Sequence, residues 1–260
     1  MPSEFILGTP NIVSKRAKDI IKDLPMHITT THIIKQTNAG IETIIQACHT
    51  LNYNQKQAAL CMTLSQEEHE IFSQEDKENG KKIAHIYNIS EQEQHAYLAR
   101  TAARAKKNNS NHSSSKSANL YAKAGAGSSH TLICKKKTDD SYAKIIGFAK
   151  YSGPRKAAIT SSIFACSNLF RKHTIDPQAI NLFEVHELCA TTTIAFERAF
   201  SINENKINIS GGACVTGDLS SLSILENLIN GMWNNQKSGL AVAVTSNIEG
   251  ESIAIAIEVL

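Results

Sequence analysis

Residues 183–190 and 205–213 read FEVHELCA and NKINISGGA, and these two stretches decide the fold of the chain. The apolar run that enters the first stretch predicts a strand over 180–185, and the residues after it predict a helix over 190–201. The second stretch predicts a short strand over 206–210 and then a glycine turn at 211–212. A strand, a helix and a strand in succession are typical of an α/β fold.

The same alternation extends outward in both directions, which favours a layered α/β protein over an all-α or all-β one. Predicted strands lie at 3–8, 26–36, 57–64, 129–135, 143–150, 240–245 and 252–259. Predicted helices lie at 11–24, 41–51, 155–172 and 220–233.

A polar, helix-prone region fills 66–107. Ser90 and Glu93 have the spacing of a capping box, and the helix after them is predicted to run to about Ala105. Residues 106–118 are rich in Ser, Asn and Lys without an apolar anchor, so they are predicted to be a linker.

Composition excludes several functional classes. The 260 residues are 42% hydrophobic and 20% charged with a net charge of +3, which does not indicate nucleic-acid binding. The six cysteines are widely spaced without a CxxC pair, so neither a metal site nor a disulfide framework is predicted. No cofactor is expected. The sequence has no signal-peptide pattern and no apolar stretch of membrane-spanning length, so a cytoplasmic protein is expected.

The two opening stretches resemble the thiolase pattern "EINEAFA … KVNxxGGAxxxGHP" in order, spacing and intervening helix. Three further stretches agree in order. Residues 80–106 are similar to the family's loop-domain helix "AEKYGISREEQDAYA", residues 11–40 to "NPARQAALKAGLP … CGSG", and residues 239–255 to its last two strands.

The resemblance implies an αβαβα sandwich of two similar halves with an incomplete N-terminal half. The match begins at the family's second strand, so we expect a gap in the first sheet. This gap either weakens the N-terminal half or is filled by a partner or a rearrangement. The implied domains are 1–65 as the N-terminal half, 66–119 as a shortened loop domain, and 120–260 as the rest.

The resemblance also implies that three catalytic loops are altered. Thr37 stands at the family's nucleophilic cysteine, and a hydroxyl has a far higher pKa than a thiol. Asp218 stands at the family's catalytic histidine, where a negative charge would repel an oxyanion. Its alternative interpretation is a helix N-cap. Residues 244–250 lack the family's second cysteine.

Three residues keep an altered form of the family's site. His186 stands at the asparagine of "NEAF", and sterol-carrier-type thiolases have a histidine there in "HDCF". Glu187 follows it, and Cys189 lies one position later than the cysteine of that motif, which turns it about 100° around a helix or to the other face of a strand. The resemblance also implies a substrate site at Ala124, Gly125 and Gly212, while the acidic residues at 75–76 disfavour coenzyme A phosphates.

Three hypotheses follow. The chain is a thiolase-like protein without turnover that has a structural or partner role, or an acyl-CoA acyltransferase that uses His186, Glu187 and Cys189, or a truncated reading frame without a selected function. The resemblance implies a homodimer through the strand at 26–36, or a heterodimer with a full-length thiolase, and acyl-CoA as the ligand.

Overall fold

The computed structural model describes residues 4–9, 30–35, 39–53, 57–65, 72–107, 118–123, 127–217, 222–235 and 237–260. The strands are β1 (Glu4–Thr9), β2 (Thr30–Lys35), β3 (Ala58–Ser65), β4 (Gly127–Cys134), β5 (Ala143–Ser152), β6 (Leu182–Val185), β7 (Gly239–Ser246) and β8 (Glu251–Val259). The helices are α1 (Ala39–Tyr53), α2 (Gln74–Ile86), α3 (Glu91–Lys107), α4 (Ser161–His173), α5 (Ala190–Phe200), the single turn α6 (Ala213–Thr216) and α7 (Leu222–Asn234).

The first sheet has the order β2-β1-β3-β4. Strand β1 pairs in parallel with both β2 and β3, and β4 runs antiparallel to β3. No gap remains among the described strands of this sheet, which agrees with the expected alternative of a rearrangement. The described strands form one continuous ladder, because β1 hydrogen-bonds directly to β3 through residues 4–8 and leaves no unpaired edge between them.

The second sheet has the order β5-β8-β7-β6. Strand β6 is parallel to β7, while β8 is antiparallel to both of its neighbours. The strand predicted over 206–210 is wrong, because the described chain makes only one bridge there, between Phe183 and Ile207. A 3-10 turn at Glu204–Lys206 precedes it, and the two glycines that follow limit the length of any strand.

Helices α1 and α7 lie between the two sheets. Ile41, Ile44 and Ile45 of α1 recur at helical spacing, and they join one buried cluster with Leu228 of α7 and Ile255 of β8. Helices α4 and α5 cover the other face of the second sheet, where Phe183 and Phe196 are among the buried side chains. The described elements thus stack as sheet, helices, sheet and helices. The predicted helix at 11–24 lies outside the described residues.

Helices α2 and α3 occupy the polar region at 74–107. The capping box predicted at α3 is confirmed, since the Ser90 amide donates to Glu93 Oε2 at 2.8 Å and the Glu93 amide donates to Ser90 Oγ at 3.2 Å. Helix α3 continues through Lys107, two residues beyond the predicted end. The predicted helix at 155–172 begins as a 3-10 turn, Arg155–Thr160, and becomes α-helical only from Ser161.

Candidate functional site

The residues after β6 form the centre of the candidate site. Strands β6 and β7 are parallel, so their carboxyl ends lie at the same edge of the sheet, where open α/β sheets bind ligands. His186, Glu187, Leu188 and Cys189 connect β6 to α5, and each is at most 6% exposed.

His186 is held by the end of β7. Its amide donates to the Val244 carbonyl at 2.9 Å, and Nδ1 lies 2.9 Å from the Ser246 carbonyl oxygen. Because a carbonyl oxygen can only accept, Nδ1 carries the proton in this contact. The imidazole is thus fixed in orientation by the backbone of the strand beside it.

The Glu187 carboxylate is fully buried and accepts three hydrogen bonds. Oε1 accepts from the Tyr97 hydroxyl and, at 3.0 Å, from Asn208 Nδ2. Oε2 accepts from the Cys214 amide at 2.7 Å. Burial raises the pKa of Tyr97 and the Glu187 charge raises it further, so the phenol remains a donor. Three donors around one carboxylate are what a buried charge requires.

The glycine pair at 211–212 is required by this arrangement. Gly211 has φ +91°, a left-handed conformation that side chains disfavour, and it lies against Ala105 of α3. A Cβ on Gly212 would overlap the Glu187 carboxylate, so any larger residue there requires that side chain to move away from its donors. The Gly212 amide donates to Thr101 Oγ1 at 2.8 Å. The described contacts of Gly212 therefore join the loop after β6 to α3.

The buried thiols are not activated. Burial raises the pKa of Cys189 and of Cys214, and it raises the pKa of Cys61 to about 12. Cys189 lies just before α5, where its amide donates to Thr192 Oγ1 at 3.3 Å. A nucleophilic thiol needs a lowered pKa and access to the substrate, and these three have neither.

A short segment, 118–123, lies across the site residues. The Ala190 amide donates to the Leu120 carbonyl, the Ala122 amide donates to the Leu188 carbonyl, and both distances are 3.0 Å. The Tyr121 hydroxyl donates to the Lys77 carbonyl at 2.9 Å, and its ring lies 5.2 Å from that of Phe72. An apolar cluster thus closes over Leu188; it comprises Phe72, Ala158, Leu188, Tyr121 and Ile248.

Asp76, at the position where the resemblance implies a coenzyme A contact, is instead tied to the turn between β7 and β8. Arg155 donates to Asp76 Oδ2 at 2.7 Å and to Glu249 Oε1 at 3.0 Å. Burial alone would raise the pKa of Asp76, but hydrogen bonds from Arg155 and Ser73 outweigh it and lower the pKa.

The structure describes half of the predicted site residues. It brings Glu187 and Gly212 into contact and places His186 and Cys189 on either side of the Glu187–Leu188 pair. The other four predicted site residues lie outside the described residues: Thr37, Ala124, Gly125 and Asp218. No group of three or more His, Cys, Asp or Glu in the described ranges could hold a metal ion.

Three residues of the site were not predicted from the sequence: Tyr97, Asn208 and Cys214. Tyr97 and Asn208 lie inside stretches that resemble the family. The sequence signal for them was therefore a polar residue within each matched stretch. Their role was hidden because Tyr97 and Glu187 are 90 positions apart.

Residues 140–259 match the family model described as thiolase, C-terminal domain. This part of the chain is therefore similar to the C-terminal domain of thiolases. Sequence comparison with curated proteins finds no match.

Solved thiolase structures share the fold over the whole chain. Human mitochondrial 3-ketoacyl-CoA thiolase is 16% identical with a TM-score of 0.84, covering 99% of this chain and 87% of its own. A thiolase from Ascaris suum in complex with coenzyme A is 15% identical with a TM-score of 0.83, covering 100% and 88%. The acetyl-CoA acetyltransferase of Bacillus anthracis is 15% identical with a TM-score of 0.83, covering 100% and 87%. The predicted layered thiolase-like fold is confirmed. None of the described helices is long and apolar enough to cross a membrane.

Proposed function

We propose that this chain is a thiolase-like protein without thiolase turnover that acts as a structural or partner subunit. One observation carries the proposal: His186, Glu187 and Cys189 are buried, and the hydrogen bonds described for them go to groups of the protein itself. Glu187 accepts three hydrogen bonds from protein groups, so its oxygens are already engaged in holding the surrounding loops. The residue types at Thr37 and Asp218 support the same conclusion.

Thiolysis of acetoacetyl-CoA by coenzyme A tests the proposal. Purified protein should give no decay of the enolate absorbance above the rate without protein. Thr37→Ala and His186→Ala serve as matched controls. A measurable rate that either substitution abolishes would overturn the proposal, because a contaminating thiolase would be unaffected by them.

An acyl-CoA acyltransferase that uses His186, Glu187 and Cys189 is the second candidate. The observation in its favour is the Nδ1 contact with the Ser246 carbonyl, because a fixed tautomer is what a catalytic histidine needs. Two of the similar structures contain coenzyme A. Titration calorimetry with coenzyme A and acetyl-CoA tests this candidate: heat that His186→Ala reduces would favour it, and no heat at millimolar ligand would exclude it.

The proposed assembly is a homodimer through β2, with a heterodimer that includes a full-length thiolase as the alternative. Strand β2 is at the end of the order β2-β1-β3-β4, so among the described strands it pairs only with β1. Edge strands are templates for pairing with a second chain. Light scattering should give twice the chain mass of 28.4 kDa, and a monomeric mass would contradict the homodimer.

The proposed location is the cytoplasm. All six cysteines are free thiols, which supports a reducing compartment.

A further inference from the structure

One face of helix α3 packs against the loop that follows Ile207. Residues 97, 101, 104 and 105 recur at helical spacing. Arg104 donates to the Ile207 carbonyl at 2.8 Å, Thr101 accepts from the Gly212 amide, and Ala105 lies against Gly211. These contacts fix the outer side of the loop.

The inner side of the same loop is fixed by Glu187. The Cys214 amide donates to Oε2, while Asn208 donates to Oε1. Asn208 is itself bound to β6, since its Oδ1 accepts from the Val185 amide at 2.7 Å and its Nδ2 donates to the Val185 carbonyl at 2.9 Å. Its φ of +46° is left-handed, a conformation that asparagine tolerates better than most residues.

Tyr97 is the residue that connects the two sides. It belongs to α3, it is 2% exposed, and its hydroxyl donates to the same Glu187 oxygen that Asn208 contacts. We propose that Tyr97 is a positioning residue that acts through Glu187: it couples helix α3 to the loop 208–217. The proposal concerns the site of the proposed function but holds whether or not the chain catalyses a reaction.

Hydrogen exchange measured by mass spectrometry on the full chain tests the coupling. Tyr97→Phe removes only the hydroxyl, and it should speed exchange of the amides at 212–217 about tenfold or more, the effect of losing one hydrogen bond to a charged group. Peptides from β7 and β8 should keep their rates. Tyr87→Phe is the matched control, a half-buried tyrosine between α2 and α3. It should leave the exchange rates at 212–217 unchanged.

A double variant separates coupling from simple loss of stability. If Tyr97 acts through Glu187, then Tyr97→Phe combined with Glu187→Ala should exchange at 212–217 as fast as Glu187→Ala alone, because alanine removes the acceptor of the Tyr97 hydroxyl. Thr101→Val removes an independent contact, so its effect should add to that of Tyr97→Phe. Three results would each overturn the proposal. The first is a double variant of Tyr97 and Glu187 whose effects on the exchange rate multiply. The others are a rise in exchange across all peptides of Tyr97→Phe, or no change in its rate at 212–217. None of these results depends on turnover, so the proposed function fails or holds separately.

Discussion

Glu184 and Glu187 are two buried glutamates on either side of the end of β6, and their surroundings differ completely. Glu187 accepts hydrogen bonds from Tyr97, Asn208 and Cys214. Glu184 faces α7, where Asn227 Nδ2 lies 3.5 Å from Oε1, and its Oε2 has no hydrogen-bond partner among the described residues. Burial raises the pKa of Glu184 well above its usual range, and the Glu187 charge raises it further.

The comparison shows that two equally buried carboxyl groups differ in their hydrogen-bond partners. Donors that replace water favour the charged form of a buried carboxyl group, and burial without such donors disfavours it. The described polar network around Glu187 therefore lies on the candidate-site side of β6, away from α7. Four variants would break or sharpen this difference.

Replacing Glu187 by alanine should cause the largest loss. It leaves the Tyr97 hydroxyl, one N–H of the Asn208 side chain and the Cys214 backbone amide without their acceptor, and each unsatisfied buried donor costs about 1–3 kcal/mol. The free energy of unfolding in urea measures this. A loss below about 1 kcal/mol would mean that the network contributes little to the fold.

Gly212→Ala should cost about 1–3 kcal/mol, the range for overpacking a filled interior. The added Cβ meets the Glu187 carboxylate, so that side chain must move away from its donors. The same urea measurement applies. Combined with Glu187→Ala, the glycine substitution should lose most of its effect, and a fully additive pair would show that the two residues do not interact.

Glu184→Gln should change the pH dependence of stability. The folded pKa of Glu184 is raised above its unfolded value, so its contribution is present at low pH and is lost as pH rises from about 4.3 through the folded pKa. A group of this kind lowers stability by up to about 1.4 kcal/mol per pH unit across that window. The glutamine variant should lack this slope in urea unfolding at stepped pH, and an unchanged slope would assign the titration to another group.

Cys189→Ser should have the smallest effect, a few tenths of a kcal/mol, because serine is a favourable residue just before a helix. The thiol here is buried and serves no acid or base step in the proposed function. Thermal unfolding and the acetoacetyl-CoA assay check this together. A fall in any measured turnover would instead support the acyltransferase alternative.

The sequence by itself determined the order and type of most elements, the capping box at Ser90 and Glu93, and the turn at residues 211–212. These features depend on neighbouring residues, whose spacing controls helical faces, caps and turns. Only the tertiary structure decided that β1 pairs directly with β3, that residues 206–210 form no strand, and that Glu187 is held by Tyr97, Asn208 and Cys214. Each of these depends on groups from distant parts of the chain, and no local pattern records which of the available polar groups a buried carboxylate will meet.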